Sequence, residues 1–349
     1  MLGFYLVLPF LLFALYRLFV VLYNYFTRPF LPSGIPADNP LASIIVYVQN
    51  SDKSIGKLIQ GIKEQTHQNF EVLIYNDQSN DKTVEVITEI SAGDKRFRLF
   101  NGGELNTGWQ NKNYAYDKLV QIAKGQYYIF VDSDNFIDSQ FVANAISHMQ
   151  RKSLSLLMLY PKLYSHRFWT RMQISATQWV FLTLVYAKSF LIKRAGENSI
   201  FANPLLIAEA TSYQSNRLHE KFKDVPNPEI KIADAARSLN LKCDSLLGDN
   251  SLTQKILNFN NELADFSSDL IKSRNGLIAY TIATTLGLFL AISLLPFPLV
   301  FLYLLALIYS QMLIAMINQQ SIILSLLIMP IQYFVLVKSL IIAIKKSDK

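Results

Sequence analysis

The stretch Gly108–Asp138, GWQNKNYAYDKLVQIAKGQYYIFVDSDNFID, decides how this chain is read. It parses as a loop, a helix, a turn and a strand. Tyr127–Val131 (YYIFV) has the aromatic and β-branched composition of a buried strand, and Lys124-Gly125 before it is a helix stop. Asp132, Ser133 and Asp134 follow at once. An open α/β sheet takes its ligand at the carboxyl ends of its strands. Two carboxylates one residue apart at such an end can hold a divalent cation, which in turn holds a diphosphate. A solvated strand-end loop is the other reading that the tripeptide alone leaves open.

Upstream, the same pattern repeats. Leu41–Asn50 (LASIIVYVQN) reads as a buried strand. Ser54–Gln65 has helical spacing, with Ile55, Leu58, Ile59 and Ile62 on one side. Phe70–Tyr75 (FEVLIY) is a second strand that ends in the polar turn Asn76–Asp81. A helix from about Lys82 to Ile90 and a short strand at Arg96–Phe100 follow. Strand and helix in alternation predict an α/β domain with a mainly parallel sheet covered on both faces. The loops at Asp77 and Asp132 then open on one sheet edge. Leu154–Leu159 is a further candidate strand.

Both ends of the chain are apolar. Hydrophobic residues make up 51% of the 349, and the mean hydropathy is +0.22. Leu2–Phe26 is long enough to span a bilayer and lacks a small-residue cleavage site, so residues 1–27 read as a retained anchor. Arg17 interrupts it, and should either snorkel to an interface or face another helix. Residues 28–40, with four prolines, read as a linker to a domain at 41–253. Residues 167–193 are apolar and aromatic with flanking bases. They read either as a buried core helix or as a helix lying in the membrane interface. Residues 254–275 have a similar, more polar character. Residues 276–349 hold three more apolar runs. Three full spans would place the basic Lys345–Lys349 end outside, against the positive-inside tendency, so one run is expected to be re-entrant or interfacial.

The net charge of +7 suits an anionic lipid surface or an anionic substrate. The bases are scattered and flank apolar runs, which argues against nucleic acid. A single cysteine, Cys243, excludes an internal disulfide and a multi-cysteine metal site.

Three acidic loops on one sheet edge are what a nucleotide-sugar site needs. One carboxylate reads the base or ribose, a pair carries a metal, and one on the opposite wall acts as general base. Asp77 fits the first role and Asp132 with Asp134 the second. Asp224 and Glu229 are the candidates for the third.

At these residues the chain resembles family 2 glycosyltransferases. SIIVYVQNSDKSIGKLIQGIKEQTHQNFEVLIYNDQSNDKT is similar to their opening strand–helix–strand and its acidic loop. VDSDNFID is similar to their metal-binding strand end, and GWQNKNYA to an element of a membrane-anchored branch that glucosylates carotenoids and other lipid-like acceptors. The resemblance implies a GT-A fold, a nucleotide-diphosphate sugar donor, Mg²⁺ or Mn²⁺, and a catalytic domain facing the cytoplasm at a bacterial inner membrane. It implies that Asp77 contacts the base, that Tyr47 and Gln49 shape the nucleotide pocket, and that Trp109, Lys112 and Asn113 lie near base and phosphates. Asp132 would meet the ribose or sugar and share the metal with Asp134. His219, Trp169 and Trp179 would lie on the acceptor side.

The chain also departs from the family pattern. The expected Glu-Asp pair falls on Pro228-Glu229, so the general base would be Glu229, one methylene longer, with Asp224 as the fallback. Asn76 and Asn111 stand where the family has aspartate and glycine, and Asn203-Pro204 where it has Gly-Gln. No Gln-x-x-Arg-Trp motif is present, against a processive polymerase. The expectation is an inverting hexosyltransferase to a hydroxyl of a lipid-like acceptor. Transfer to a polyprenyl phosphate and a catalytically weakened, scaffolding subunit are the alternatives.

Overall fold

The computed structural model describes residues 2–103, 107–187, 204–256 and 274–347. They form two compact units: an α/β unit, Phe30–Leu163 with Arg194–Lys255, and a helical unit of Met1–Pro29, Tyr164–Lys193 and Ile256–Lys349.

The α/β unit is built on a seven-stranded sheet. Its strands are β1 (Ala42–Val48), β2 (Phe70–Asn76), β3 (Phe97–Asn101), β4 (Tyr127–Asp132), β6 (Leu156–Tyr160), β8 (Leu205–Glu209) and β9 (Cys243–Leu247), in the order β3-β2-β1-β4-β8-β6-β9. A second, three-stranded sheet joins β5 (Asn135–Ile137), β7 (Lys162–Tyr164) and β10 (Leu252–Lys255). β1 lies parallel to both β2 and β4, and one rung pairs Tyr47 with Tyr75 on one side and with Asp132 on the other. That register sets the ends of β1, β2 and β4 side by side, as a parallel sheet requires. Val and Ile dominate because both faces are covered. Ile44, Val46, Ile129 and Val131 are fully or almost fully buried, under the helices Ile55–Lys63 and Phe141–Lys152.

The sheet is not parallel throughout: β8 runs antiparallel between β4 and β6. An apolar run such as LLIAE is the same in either direction, so its sense is set by which neighbour it meets. Gln254, expected to open the segment at 254–275, instead pairs in β10 opposite Asn135 and closes the α/β unit. Most of that expected segment, and the end of the one at 167–193, lie outside the described residues. The prolyl stretch after Pro29 is docked onto the unit. Phe30 bridges to Leu247, and the Gly34 and Ala37 amides donate to Asn144 Oδ1 and Gln150 Oε1. Gly125 is fixed by close approach, since a Cβ there would fall 2.5 Å from the Ser43 nitrogen.

The helical unit contains Leu2–Thr27, Phe168–Leu184, Arg274–Leu294, Phe297–Ile317 and Ile322–Ser347. Among the described residues, two helices, Tyr5–Thr27 and Phe297–Ile317, are long and apolar enough to cross a membrane. Most of Phe168–Leu184 is buried within the unit. Asn24 caps its end, donating to the carbonyls of Leu182 and Val185 and accepting from the Ala187 amide. Arg17 faces another helix, with its guanidinium 4.6 Å from the Trp179 ring centre.

Candidate active site

Three strand ends and two loops converge at the edge defined by Val48, Asn76 and Asp132. At the end of β2, Asp77 is held by three donors on one oxygen. Tyr47 Oη lies at 2.7 Å, Gln49 Nε2 at 3.1 Å and Asn111 Nδ2 at 2.7 Å from Oδ2. Oδ1 lies outside that set. Burial, then the bond to Asp77, raises the Tyr47 phenol well above its ordinary range, so it stays a donor. Asn111, which replaces the family's glycine, therefore has a defined place as a third support for Asp77.

The helix Asn111–Ile122 delivers Lys112 into the centre. Gly108, in the left-handed region at φ 83°, permits the turn that precedes it. Lys112 Nζ lies 2.7 Å from Asp132 Oδ1 and 2.9 Å from Glu229 Oε1. Burial works to lower the Lys112 pKa, but the Asp132 and Glu229 charges outweigh it and hold the ammonium well above its ordinary value. Tyr116 Oη also donates to Asp132 Oδ1, at 3.1 Å. Glu229 is 2% exposed, and its second oxygen, Oε2, is buried without a hydrogen-bond partner. It opens the helix Glu229–Ser238, where a negative charge is favoured by the helix dipole.

Asp134, two residues after Asp132, has a partner of its own. Its Oδ2 accepts from Gln254 Nε2 at 2.7 Å. Burial, then the nearby Asp132 charge, raises its pKa above the ordinary carboxylate value. Like charges that repel in this way are what a bound cation relieves. Among the described residues no group of three His, Cys, Asp or Glu comes together. The donor set is therefore two carboxylates, which suits Mg²⁺ or Mn²⁺ completed by ligand phosphate and water.

A cavity of about 210 Å³ opens beside Lys112. It is lined by Tyr47, Gln49, Gln110, Asn111, Lys112, Asn113, Pro226 and Asn227. Four of these were expected from the sequence; Gln110, Asn111, Pro226 and Asn227 were not assigned to the pocket. Asn113 also anchors a loop. Its amide donates to the carbonyls of Phe222, Lys223 and Val225, and the Gln110 amide donates to Lys223. Together they pin the loop that leads to Glu229. Asp224 lies on that loop with its side chain exposed; only its carbonyl is engaged, by Gln110 Nε2.

His219 is 1% exposed, and its ring packs against Tyr116, Phe130 and Tyr213. Nδ1 is bonded to the Tyr213 hydroxyl, and Nε2 is buried without a partner. Burial, then the Lys112 charge, lowers its pKa to about 3, so it is neutral at physiological pH. Taken alone, a histidine in that polar segment reads as a surface residue; here it is a floor beneath the site. Trp109 is half-buried, edge-on to Tyr114 at 5.8 Å. In the helical unit Trp169 is 61% exposed, whereas Trp179 is 1% exposed and enclosed by Arg17, Tyr280 and Tyr333. Trp179 thus offers no open face to an acceptor. Gln254 was the functional neighbour hardest to find, since nothing in its local sequence ties it to Asp134.

Residues 43–204 match the model of the family described as glycosyl transferase family 2. Over 118 residues the chain is 26% identical to the glycosyltransferase GlyG of Streptococcus pneumoniae, covering 34% of this chain and 38% of the relative. An uncharacterized glycosyltransferase of Haemophilus influenzae is 32% identical over 115 residues, which cover 33% of this chain and 44% of the relative. A 4,4'-diaponeurosporenoate glycosyltransferase of Staphylococcus haemolyticus is 25% identical over 184 residues, covering 51% of this chain and 46% of the relative. The matched segment thus spans less than half the length of these relatives. Over residues 43–204 the chain is thus similar to family 2 glycosyltransferases, and its α/β unit has a mixed, mainly parallel sheet.

Proposed function

We propose that the chain is a membrane-bound, inverting glycosyltransferase. It moves a hexose from a nucleotide-diphosphate sugar to a hydroxyl of a lipid-like acceptor. The observation that carries this reading is Lys112, held between Asp132 on the donor side and Glu229 on the opposite wall. A fixed ammonium beside the nucleotide cavity is a counter-charge for a diphosphate. The same ammonium pairs with Glu229 Oε1 across the cleft.

When a donor enters, its phosphate oxygens compete for Lys112. Glu229, released from that ion pair, serves as the base on the face opposite the leaving group. It takes the proton of the acceptor hydroxyl, that oxygen bonds to the anomeric carbon, and the bond from that carbon to the diphosphate oxygen breaks. The electron pair leaves on the diphosphate, where Lys112 meets the charge. One displacement from the far face inverts the anomeric centre. Asp132 and Asp134 would hold Mg²⁺ or Mn²⁺, which neutralises the leaving diphosphate when bound. Asp77 reads the base, with Tyr47, Gln49 and Asn111 fixing its orientation.

The apolar helices favour attachment to a bilayer. The similarity to the Staphylococcus 4,4'-diaponeurosporenoate glycosyltransferase favours a lipid-like acceptor. Trp169, exposed at the start of its helix, is the acceptor-side candidate that keeps an open face. The test is donor turnover by the full chain in membranes, followed by mass spectrometry of the released nucleotide with each common nucleotide sugar and a lipid extract. Metal-dependent release that is lost in Glu229→Gln and Asp134→Ala supports the proposal. No release with any donor overturns it, in favour of a scaffolding subunit.

A further inference from the structure

Arg17 is 3% exposed, and its Nε is buried without a hydrogen-bond partner. Its guanidinium sits among Phe13, Trp179 and Tyr280, at 6.0, 4.6 and 5.8 Å from their ring centres. The described residues of the helical unit include no Asp or Glu. Beside Trp179 on its other neighbour, at 5.2 Å between rings, stands Tyr333, whose hydroxyl is also buried and unpartnered. One charged donor and one neutral donor therefore share an aromatic cage with no acceptor for either. Aromatic faces stabilise a guanidinium only weakly against the cost of burying an uncompensated charge.

We infer that this cage binds an anionic head, a phosphate or carboxylate, carried on an apolar chain. The chemistry selects the class. A guanidinium presents several donors in one plane, which matches an oxyanion with more than one oxygen. Walls of Phe, Trp and Tyr match an apolar chain rather than a hydrated free ion. Arg17 lies six residues, about 9 Å along the helix, before Tyr23, where aromatic residues mark the approach to an interface. The site rests on the membrane reading given above. It does not rest on the transferase reading, and none of its residues has a part in the proposed chemistry.

Two sources share this head chemistry: a bulk anionic phospholipid, or an acceptor that carries its own acidic group. Native mass spectrometry of the detergent-purified full chain separates them, with phosphatidylglycerol, dodecyl phosphate, phosphatidylcholine and dodecanol as probes. The expected result is retention of both anionic probes at least about tenfold over their uncharged or zwitterionic counterparts. Phosphatidylglycerol alone indicates a phospholipid site; dodecyl phosphate alone indicates a single-chain ligand. Arg17→Gln removes the preference, Arg17→Lys keeps part of it, and Tyr333→Phe lowers it a few-fold. Equal retention of charged and neutral probes by the wild-type chain overturns the inference, and needs no variant to fold. So does an unchanged preference in Arg17→Gln. Residues 257–273, outside the described residues, contain Glu262, Asp265 and Asp269. If changing these three to Asn or Gln creates an anion preference that the wild type lacks, Arg17 is paired internally and the inference fails. Alkaline carbonate extraction tests membrane attachment separately.

Discussion

Lys112 Nζ stands 2.9 Å from Glu229 Oε1, so the first turn of one helix is tied to the first residue of another that is far away in sequence. The same ammonium holds Asp132 at the end of β4. The two walls of the cleft are thus joined through one side chain. A buried pair of this kind is costly to break from one side, because the partner is left charged and unsolvated.

Lys112→Met is expected to destabilise the chain by about 3–5 kcal/mol, since it strands Glu229 and Asp132 without a counter-charge. The double variant Lys112→Met/Glu229→Gln should recover a part of that loss. Thermal unfolding in detergent, comparing both single variants with the double one, measures the coupling. Additive losses would show that the ion pair carries no stability.

Glu229→Gln keeps the shape of the side chain and removes its basicity. Acceptor-dependent transfer should fall by about 10²–10⁴-fold. Asp224→Asn should leave the rate within about twofold, because its side chain is exposed and only its carbonyl is engaged. Initial rates of nucleotide release decide between the two carboxylates; the reverse ordering would make Asp224 the base.

Asp77→Asn loses a charged acceptor that three side chains hold in position. A charged hydrogen bond contributes about 1.5–3 kcal/mol, so donor KM should rise about 10–100-fold with kcat little changed. A fall in kcat at constant KM would instead place Asp77 in the chemical step.

His219 gives the pH dependence a sign. Its folded pKa is about 3 against an ordinary 6.5, so the folded state favours the neutral ring. The stability tied to this group is full above 6.5 and is lost as pH falls from there toward 3, at up to about 1.4 kcal/mol per unit. His219→Gln removes the titrating group, so its stability should depend less on pH between 7 and 5. Melting temperatures of both proteins across that range test it; parallel profiles would assign the acid limb to other groups.

Much of the architecture is legible in the chain because the strands of a covered sheet are apolar at every position. β1, β2 and β4 can be read directly, along with the acidic ends that follow β2 and β4. Helix positions follow from spacing, as Ile55, Leu58, Ile59 and Ile62 show. The direction of β8, the strand β9 and the small sheet of β5, β7 and β10 are not legible. Short apolar runs carry no sense of direction, and Gln254 reaches Asp134 only because β10 pairs with β5.

What the sequence by itself determined is local: the strand that ends in Asp132 and Asp134, the loop at Asp77, and the apolar length of the terminal helices. These depend on periodicity and on residues near one another in the chain. What only the tertiary structure decided is which distant groups share a charge. Asn113 lines the pocket and also anchors the loop before Glu229. His219 is buried and neutral, and Trp179 encloses Arg17 rather than facing outward. The physical reason is that burial and Coulomb interaction depend on distance through space. Only packing brings Lys112 between Asp132 and Glu229.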